Sequence, residues 1–184
     1  MESGKLIISK ERFELTIKRL CHQILEQHVH LEKLCLIGIQ ERGVYLAERI
    51  KQQLIDMIGS QPFDYGKLDI TFYRDDFRRR DTPLKAATTE ITFILEDRNV
   101  LLVDDVLYTG RTVHAAIAAL QDFGRPARIE MLCMVDRRFN RHFPINADYK
   151  GVAVDALDDA YVRVKWKEYH GEDRVLLFSG KSDS

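Results

Sequence analysis

Apolar residues at Phe13, Ile17, Leu20 and Ile24 recur at helical spacing between charges, which predicts an amphipathic helix from Glu11 to Gln27. Leu34 to Ile39 is a short continuous apolar run, and Val44, Ala47, Ile50 and Leu54 then fall on one helical face up to about Gly59. Strand, turn and helix follow one another there. Leu68, Ile70 and Phe72 alternate with Asp69, Thr71 and Tyr73, the pattern of a half-exposed strand. The polar segment from Arg74 to about Thr89 then breaks all periodicity, and a loop of that length inside a domain is usually functional. Val100 to Val103 and Ile129 to Val135 are wholly apolar runs on either side of an alanine-rich helix, Thr112 to Phe123, which Gly124 closes. Runs of this kind belong to central strands covered on both faces. Near the end, Val162, Val164 and Trp166 alternate with polar neighbours, and Arg174 to Phe178 follows a Gly171-Glu172-Asp173 turn, which predicts an antiparallel hairpin. The pattern as a whole is an α/β fold with a mostly parallel sheet flanked by helices.

With 184 residues, 45% hydrophobic and 31% charged, the chain suits one domain over residues 1–184. Its 28 basic and 29 acidic side chains give a net charge of -1, so no global charge draws it to nucleic acid or membrane and any basic site must be local. Cys21, Cys35 and Cys133 sit in apolar surroundings without the spacing of a zinc site or a disulfide framework, and read as reduced core residues. No apolar run reaches membrane-spanning length and no signal-peptide pattern opens the chain, so a cytoplasmic protein is expected.

The chemistry concentrates in Val100-Leu101-Leu102-Val103-Asp104-Asp105-Val106-Leu107-Tyr108-Thr109-Gly110-Arg111-Thr112. A buried strand ends at two carboxylates, and a Thr-Gly-x-Thr turn then opens a helix. Beyond the carboxyl end of a parallel strand, a helix N-terminus offers free N–H groups and a positive dipole end to a phosphate. Gly110 permits close approach, and the hydroxyls of Thr109 and Thr112 add donors. Asp104 and Asp105 can only accept, which suits ribose hydroxyls. The Gly38 to Gly43 turn also follows a strand and opens a helix, with Arg42 beside Gly43, and so suits a second anion. Arg74-Asp75-Asp76 opens the long loop, where a lid could bring Arg74 over the site.

Val103 to Thr112 resembles the phosphoribosyl-pyrophosphate signature of type I phosphoribosyltransferases. More narrowly it is similar to the bacterial pyrimidine-operon attenuation regulators that double as uracil phosphoribosyltransferases. Leu36 to Ala47, Leu68 to Asp76 and Gly124 to Ile129 extend the likeness, which covers most of Arg12 to Gly151. The resemblance implies a small hood beside the sheet and self-association as a homodimer or larger homo-oligomer. It implies that 5-phosphoribosyl-1-pyrophosphate is the donor, with its ribose hydroxyls on Asp104 and Asp105 and its 5′-phosphate on Tyr108, Thr109, Gly110, Arg111 and Thr112. Gln40, Glu41, Arg42 and Gly43 would hold the departing pyrophosphate, with Arg74 nearby. Mg2+ would be bound largely by substrate oxygens, with Asp104 or Asp105 reaching it through water. The acceptor is a nucleobase, uracil by the family and hypoxanthine or guanine as the alternative. An mRNA leader hairpin is the further implied partner, and Lys18, Arg19 and His22 lie on one helical face near positions the family uses for RNA. Arg78-Arg79-Arg80 and Arg137-Arg138 are additional basic clusters. The chain departs from the family pattern at Arg138, where a glycine is usual and one extra residue precedes Arg141, and again after Gly151.

Overall fold

In chain order the elements are β1 (Lys5–Ile8), α1 (Lys10–Gln27), β2 (Leu34–Ile39), α2 (Arg42–Ile58), β3 (Asp64–Leu68), β4 (Asn99–Leu107), α3 (Arg111–Leu120), β5 (Arg128–Arg138), β6 (Tyr149–Asp155), β7 (Tyr161–Lys165), α4 (Lys167–His170) and β8 (Arg174–Phe178). They come from a computed structural model that describes residues 4–75, 86–156 and 160–179. The apolar runs form the middle of a five-stranded sheet in the order β3-β2-β4-β5-β6, every neighbouring pair parallel. Alternate side chains serve two separate cores. Leu36, Leu101, Val103, Leu132 and Met134 pack with Phe13, Leu20 and Ile24 of α1 and Leu46 and Ile50 of α2. Cys35, Ile37, Val100, Leu102, Met131 and Cys133 pack on the other face with Val113, Ala116 and Leu120 of α3. Burial on both faces is why these strands read as unbroken apolar runs.

A second, antiparallel sheet has the order β1-β8-β7. The expected hairpin is therefore present, and the N-terminal segment adds a third strand to it. Val164, Trp166 and Val175 of this hood belong to the same cluster as Phe13, whose ring meets Trp166 edge-on at 5.5 Å. Among the described residues no helix is long and apolar enough to cross a membrane. The three cysteines are free and buried, and burial pushes the thiols of Cys21 and Cys35 up to about 12 and about 11. They remain protonated and inert near neutral pH.

Two expectations need correction, and one strand was not foreseen. The strand read at Leu68 to Tyr73 lies earlier, at Asp64–Leu68, and Thr71–Tyr73 is a 3-10 turn. Asp69 holds that turn, its Oδ1 accepting from the Thr71 N–H at 3.1 Å and the Thr71 hydroxyl at 2.6 Å. The alternation arises because Leu68 and Ile70 dip into the second core while Phe72 points outward. The central strand does not stop at Val103 but continues through both carboxylates to Leu107. Tyr149–Asp155 forms a fifth parallel strand that its mixed polarity concealed.

Arg49 of α2 joins hood to sheet. Its guanidinium lies 5.1 Å from the Trp166 ring and 5.8 Å from Phe13, pairs with Asp173, and donates to both Glu168 oxygens at 2.9 Å. Asp173 is buried, and its other oxygen accepts from the Lys167 N–H at 2.7 Å. Arg49→Ala should therefore lower unfolding free energy in urea by roughly 2–4 kcal/mol, since it strands a buried carboxylate. A loss below about 0.5 kcal/mol, the range of ordinary surface changes, would contradict this role.

Candidate functional site

β2 and β4 pair from Leu34 and Asn99 up to Gly38 and Val103, whereas β4 and β5 remain paired as far as Leu107 and Asp136. β4 thus runs on after β2 has turned away, and Asp104 and Asp105 lie where one neighbour is missing. Both are nevertheless buried, at 9% and 6% exposure. Asp104 Oδ1 accepts from the Asp105 N–H at 2.8 Å. Among the described residues Asp105 Oδ2 has no hydrogen-bond partner, and Arg42 Nη1 stands 3.9 Å away. Burial, then the neighbouring Asp105, pushes the Asp104 carboxyl well above the usual range. Burial also raises Asp105, opposed chiefly by the Arg42 guanidinium.

The turn after β2 faces these carboxylates. Its Gln40–Glu41 peptide is cis, the Gln40 N–H donates to Leu68 O at 2.9 Å, and the Gln40 side chain donates to Thr88 O at 2.8 Å. Gly43 lies so close to β4 that a Cβ would come within 2.3 Å of Val103 O and 3.0 Å of Asp104 Cα. Only glycine lets α2 begin there. On the other side, Gly110 at φ 85° is the N-cap of α3, whose first backbone bond runs from the His114 N–H to Gly110 O at 2.9 Å. The Arg111 N–H reaches Thr109 Oγ1 at 3.4 Å, which leaves the next N–H groups of the first turn for a ligand or water.

A cavity of about 530 Å³ joins these parts, lined by Gln40, Glu41, Arg42, Arg74, Asp104, Asp105 and Thr112. Seven of the residues expected from sequence meet there. Gly43, Tyr108, Thr109, Gly110 and Arg111 do not line it. Gly43 is a packing residue, Tyr108 lies under the Arg137 guanidinium at 3.8 Å, and Arg111 pairs with Asp75 and donates to His142 Nδ1 at 3.1 Å. Sequence reasoning missed Asp69, which also lines the cavity and whose Oδ2 accepts from the Ala87 N–H at 3.1 Å. It gave Arg141 no role either, although that side chain bonds the backbone of the Leu107–Gly110 loop. Among the described residues no cluster of three or more metal-ligating side chains occurs.

The basic clusters separate. Lys18, Arg19 and His22 are exposed on α1, but Arg19 donates to the carbonyls of Lys150 at 3.2 Å and Gly151 at 2.6 Å. Arg137 is buried and Arg138 pairs with Asp155 at 2.6 Å, so neither is a bare surface charge. Arg78-Arg79-Arg80 lies outside the described residues.

This geometry is that of a recognised class: residues 6–168 match the model of the phosphoribosyl transferase domain. The fold is similar to the hypoxanthine phosphoribosyltransferase of Trypanosoma cruzi, with TM-score 0.72 and 17% identity over 97% of this chain and 98% of that one. It is likewise similar to a Staphylococcus aureus hypoxanthine phosphoribosyltransferase, with TM-score 0.69 and 17% identity over 97% and 93% of the two chains. Within the class, the chain is 42% identical to the Bifunctional protein PyrR of Elusimicrobium minutum over 97% of its own length and 99% of the relative's. It is 42% identical to that of Caldicellulosiruptor saccharolyticus over 96% of both. The chain belongs to the PyrR family of phosphoribosyltransferases.

An acid whose folded pKa is raised adds stability below its unfolded value of about 3.9, and that stability is lost as pH rises through the folded value. Asp104→Asn keeps the oxygen that accepts from Asp105 N–H while removing the desolvated charge. Without ligand, this variant should be more stable than the parent at about pH 7.5, the gap closing as pH falls towards about 4. Urea unfolding across that range checks it; a variant less stable at every pH would contradict the assignment.

Proposed function

We propose that the protein transfers the phosphoribosyl group of 5-phosphoribosyl-1-pyrophosphate to a nucleobase, most consistently uracil, and releases pyrophosphate. The observation that carries this is the adjacent buried carboxylates Asp104 and Asp105 lining a cavity whose rims are a helix N-terminus and an arginine-bearing turn. A ribose between two anionic groups fits that order of acceptors and donors.

The ribose hydroxyls donate to Asp104 and Asp105, the 5′-phosphate accepts from the first turn of α3 and the Thr112 hydroxyl, and Arg42 and Arg74 face the pyrophosphate. These contacts hold C1 of the ribose in place for an acceptor nitrogen. As the bond from C1 to the pyrophosphate oxygen breaks, that oxygen keeps the electron pair. The acceptor nitrogen forms the new bond and gives up its ring proton to water. Positive charge that develops on the ribose lies near the two carboxylates, while the arginines meet the negative charge on the leaving group. Magnesium would neutralise the pyrophosphate when bound, with the Asp104 and Asp105 carboxylates lining the cavity beside its water shell.

Asp105→Asn and Thr112→Ala should each reduce kcat/KM for pyrophosphate release by roughly 100-fold or more while the fold survives, the scale of losing one organised transition-state contact. Normal turnover by both would refute the site. The same assay run with uracil, hypoxanthine, guanine and adenine identifies the acceptor. Selective turnover of a purine would replace uracil in the proposal.

The word "bifunctional" in the relatives' names supports a second activity, and the exposed α1 face of Lys18 and His22 is the place proposed for RNA. Changing Lys18, Arg19 and His22 together to Ala should abolish salt-sensitive retardation of a pyrimidine-operon leader hairpin and leave pyrophosphate release intact. Unchanged retardation would exclude that face.

A further inference from the structure

The segment from Asp136 to Ile145 closes behind the phosphate loop and touches it through backbone oxygens. Arg141 Nη1 donates to the carbonyls of Leu107 at 3.2 Å and Arg137 at 3.0 Å and also to that of Tyr108. Its Nε donates to Ile145 O at 3.1 Å, and Nη2 pairs with the buried carboxylate of Asp136. The N–H groups of His142 and Phe143 both donate to Thr109 O, at 2.9 and 3.2 Å. Arg137 adds a face contact with the Tyr108 ring at 3.8 Å.

In a planar trans peptide the C=O and the following N–H point in opposite directions. Holding the Leu107, Tyr108 and Thr109 carbonyls against this segment therefore turns the N–H groups of Tyr108, Thr109 and Gly110 the other way. Successive N–H groups on one side of a turn make an anion-binding concavity, which α3 then continues. Just before Arg141, Phe139 and Asn140 take left-handed conformations, at φ 72° and 56°, so the chain turns there. Arg138 stays paired with Asp155 before that turn, and Arg141 meets the loop after it.

We propose that Arg141 is a positioning residue for the donor, a guanidinium that orients the amides of the 5′-phosphate loop without touching the substrate. This rests on reading that loop as the 5′-phosphate site. Its function depends on the planar fork of arginine, since one group reaches two carbonyls of the loop, those of Arg137 and Ile145 in its own segment, and the Asp136 carboxylate at once. A lysine ammonium has three donors and one centre, and cannot serve all of them.

Calorimetric binding of ribose 5-phosphate, with the separate KM values of donor and acceptor, tests this. Arg141→Ala should weaken ribose 5-phosphate and raise the donor KM by roughly 10- to 100-fold, the scale of losing charge-assisted hydrogen bonds. The acceptor KM should stay unchanged. Guanidinium ion at sub-denaturing concentration should restore part of the donor affinity, and urea at the same concentration should not. Arg141→Lys should fall between the two and show no rescue. The proposal is overturned if Arg141→Ala binds ribose 5-phosphate as the parent does, or if both variants lose donor and acceptor affinity together with melting temperature. If the parent itself bound neither ribose 5-phosphate nor the pyrophosphorylated donor, the reading of the loop would fail and this proposal with it. Normal parent binding with unaffected variants would overturn the role of Arg141 alone.

Discussion

Everything at the site follows from one mismatch in sheet length: β4 keeps its pairing with β5 to Leu107 after β2 has left it at Val103. Two adjacent carboxylates are thereby held on a rigid, buried strand beside an open space. In a solvated loop Asp104 and Asp105 would be ordinary acids with water on every oxygen. Here the sheet buries both, and among the described residues Asp105 Oδ2 has no hydrogen-bond partner, only the Arg42 guanidinium 3.9 Å away. A desolvated acceptor is unfavourable in the empty fold and is satisfied by a hydroxyl donor of the right shape. The two cores on either face of the sheet supply the stability that permits it.

The remaining parts fix distances around those carboxylates. Gly43 lets α2 start against the backbone of Val103, which places Arg42 at the edge of the cavity. The same helix carries Arg49 to the hood, so the turn beside the carboxylates and the hood over the sheet share one rigid element. Opposite, α3 begins at Gly110, and Asp69 ties Thr71 and Ala87 on the cavity rim. Most of these groups act by orienting backbone, which is the means by which a site gains precision without further charge.

Elements buried on both faces were legible in the sequence because their composition is uniform: Leu34 to Ile39, Val100 to Val103 and Ile129 to Val135 all lie in central strands. Edge strands were not. Tyr149–Asp155 contains Lys150, Gly151 and Asp155, and Asp64–Leu68 begins with a charge and holds a central glycine. Such segments become strands through pairing with a neighbour, which local composition does not encode. At the site, Asp104, Asp105, Arg42, Arg74 and Thr112 were found from motif context and do share one cavity. Arg141, Asp136 and Asp69 were not found, because their partners are backbone groups distant in sequence. The sequence also did not show that Arg19 and Arg138, both exposed, are engaged with β6.

The central claim is that Asp104 and Asp105 hold the ribose of a phosphoribosyl donor whose 5′-phosphate sits at the start of α3. A crystal structure with 5-phosphoribosyl-1-pyrophosphate and magnesium tests it most directly. The account predicts ribose hydroxyls within hydrogen-bond distance of both carboxylates, the 5′-phosphate on the amides leading into Thr112, and the pyrophosphate beside Arg42. A donor bound in the opposite sense, with its 5′-phosphate on the Gln40 to Arg42 turn, or bound away from Asp104 and Asp105 altogether, would contradict it.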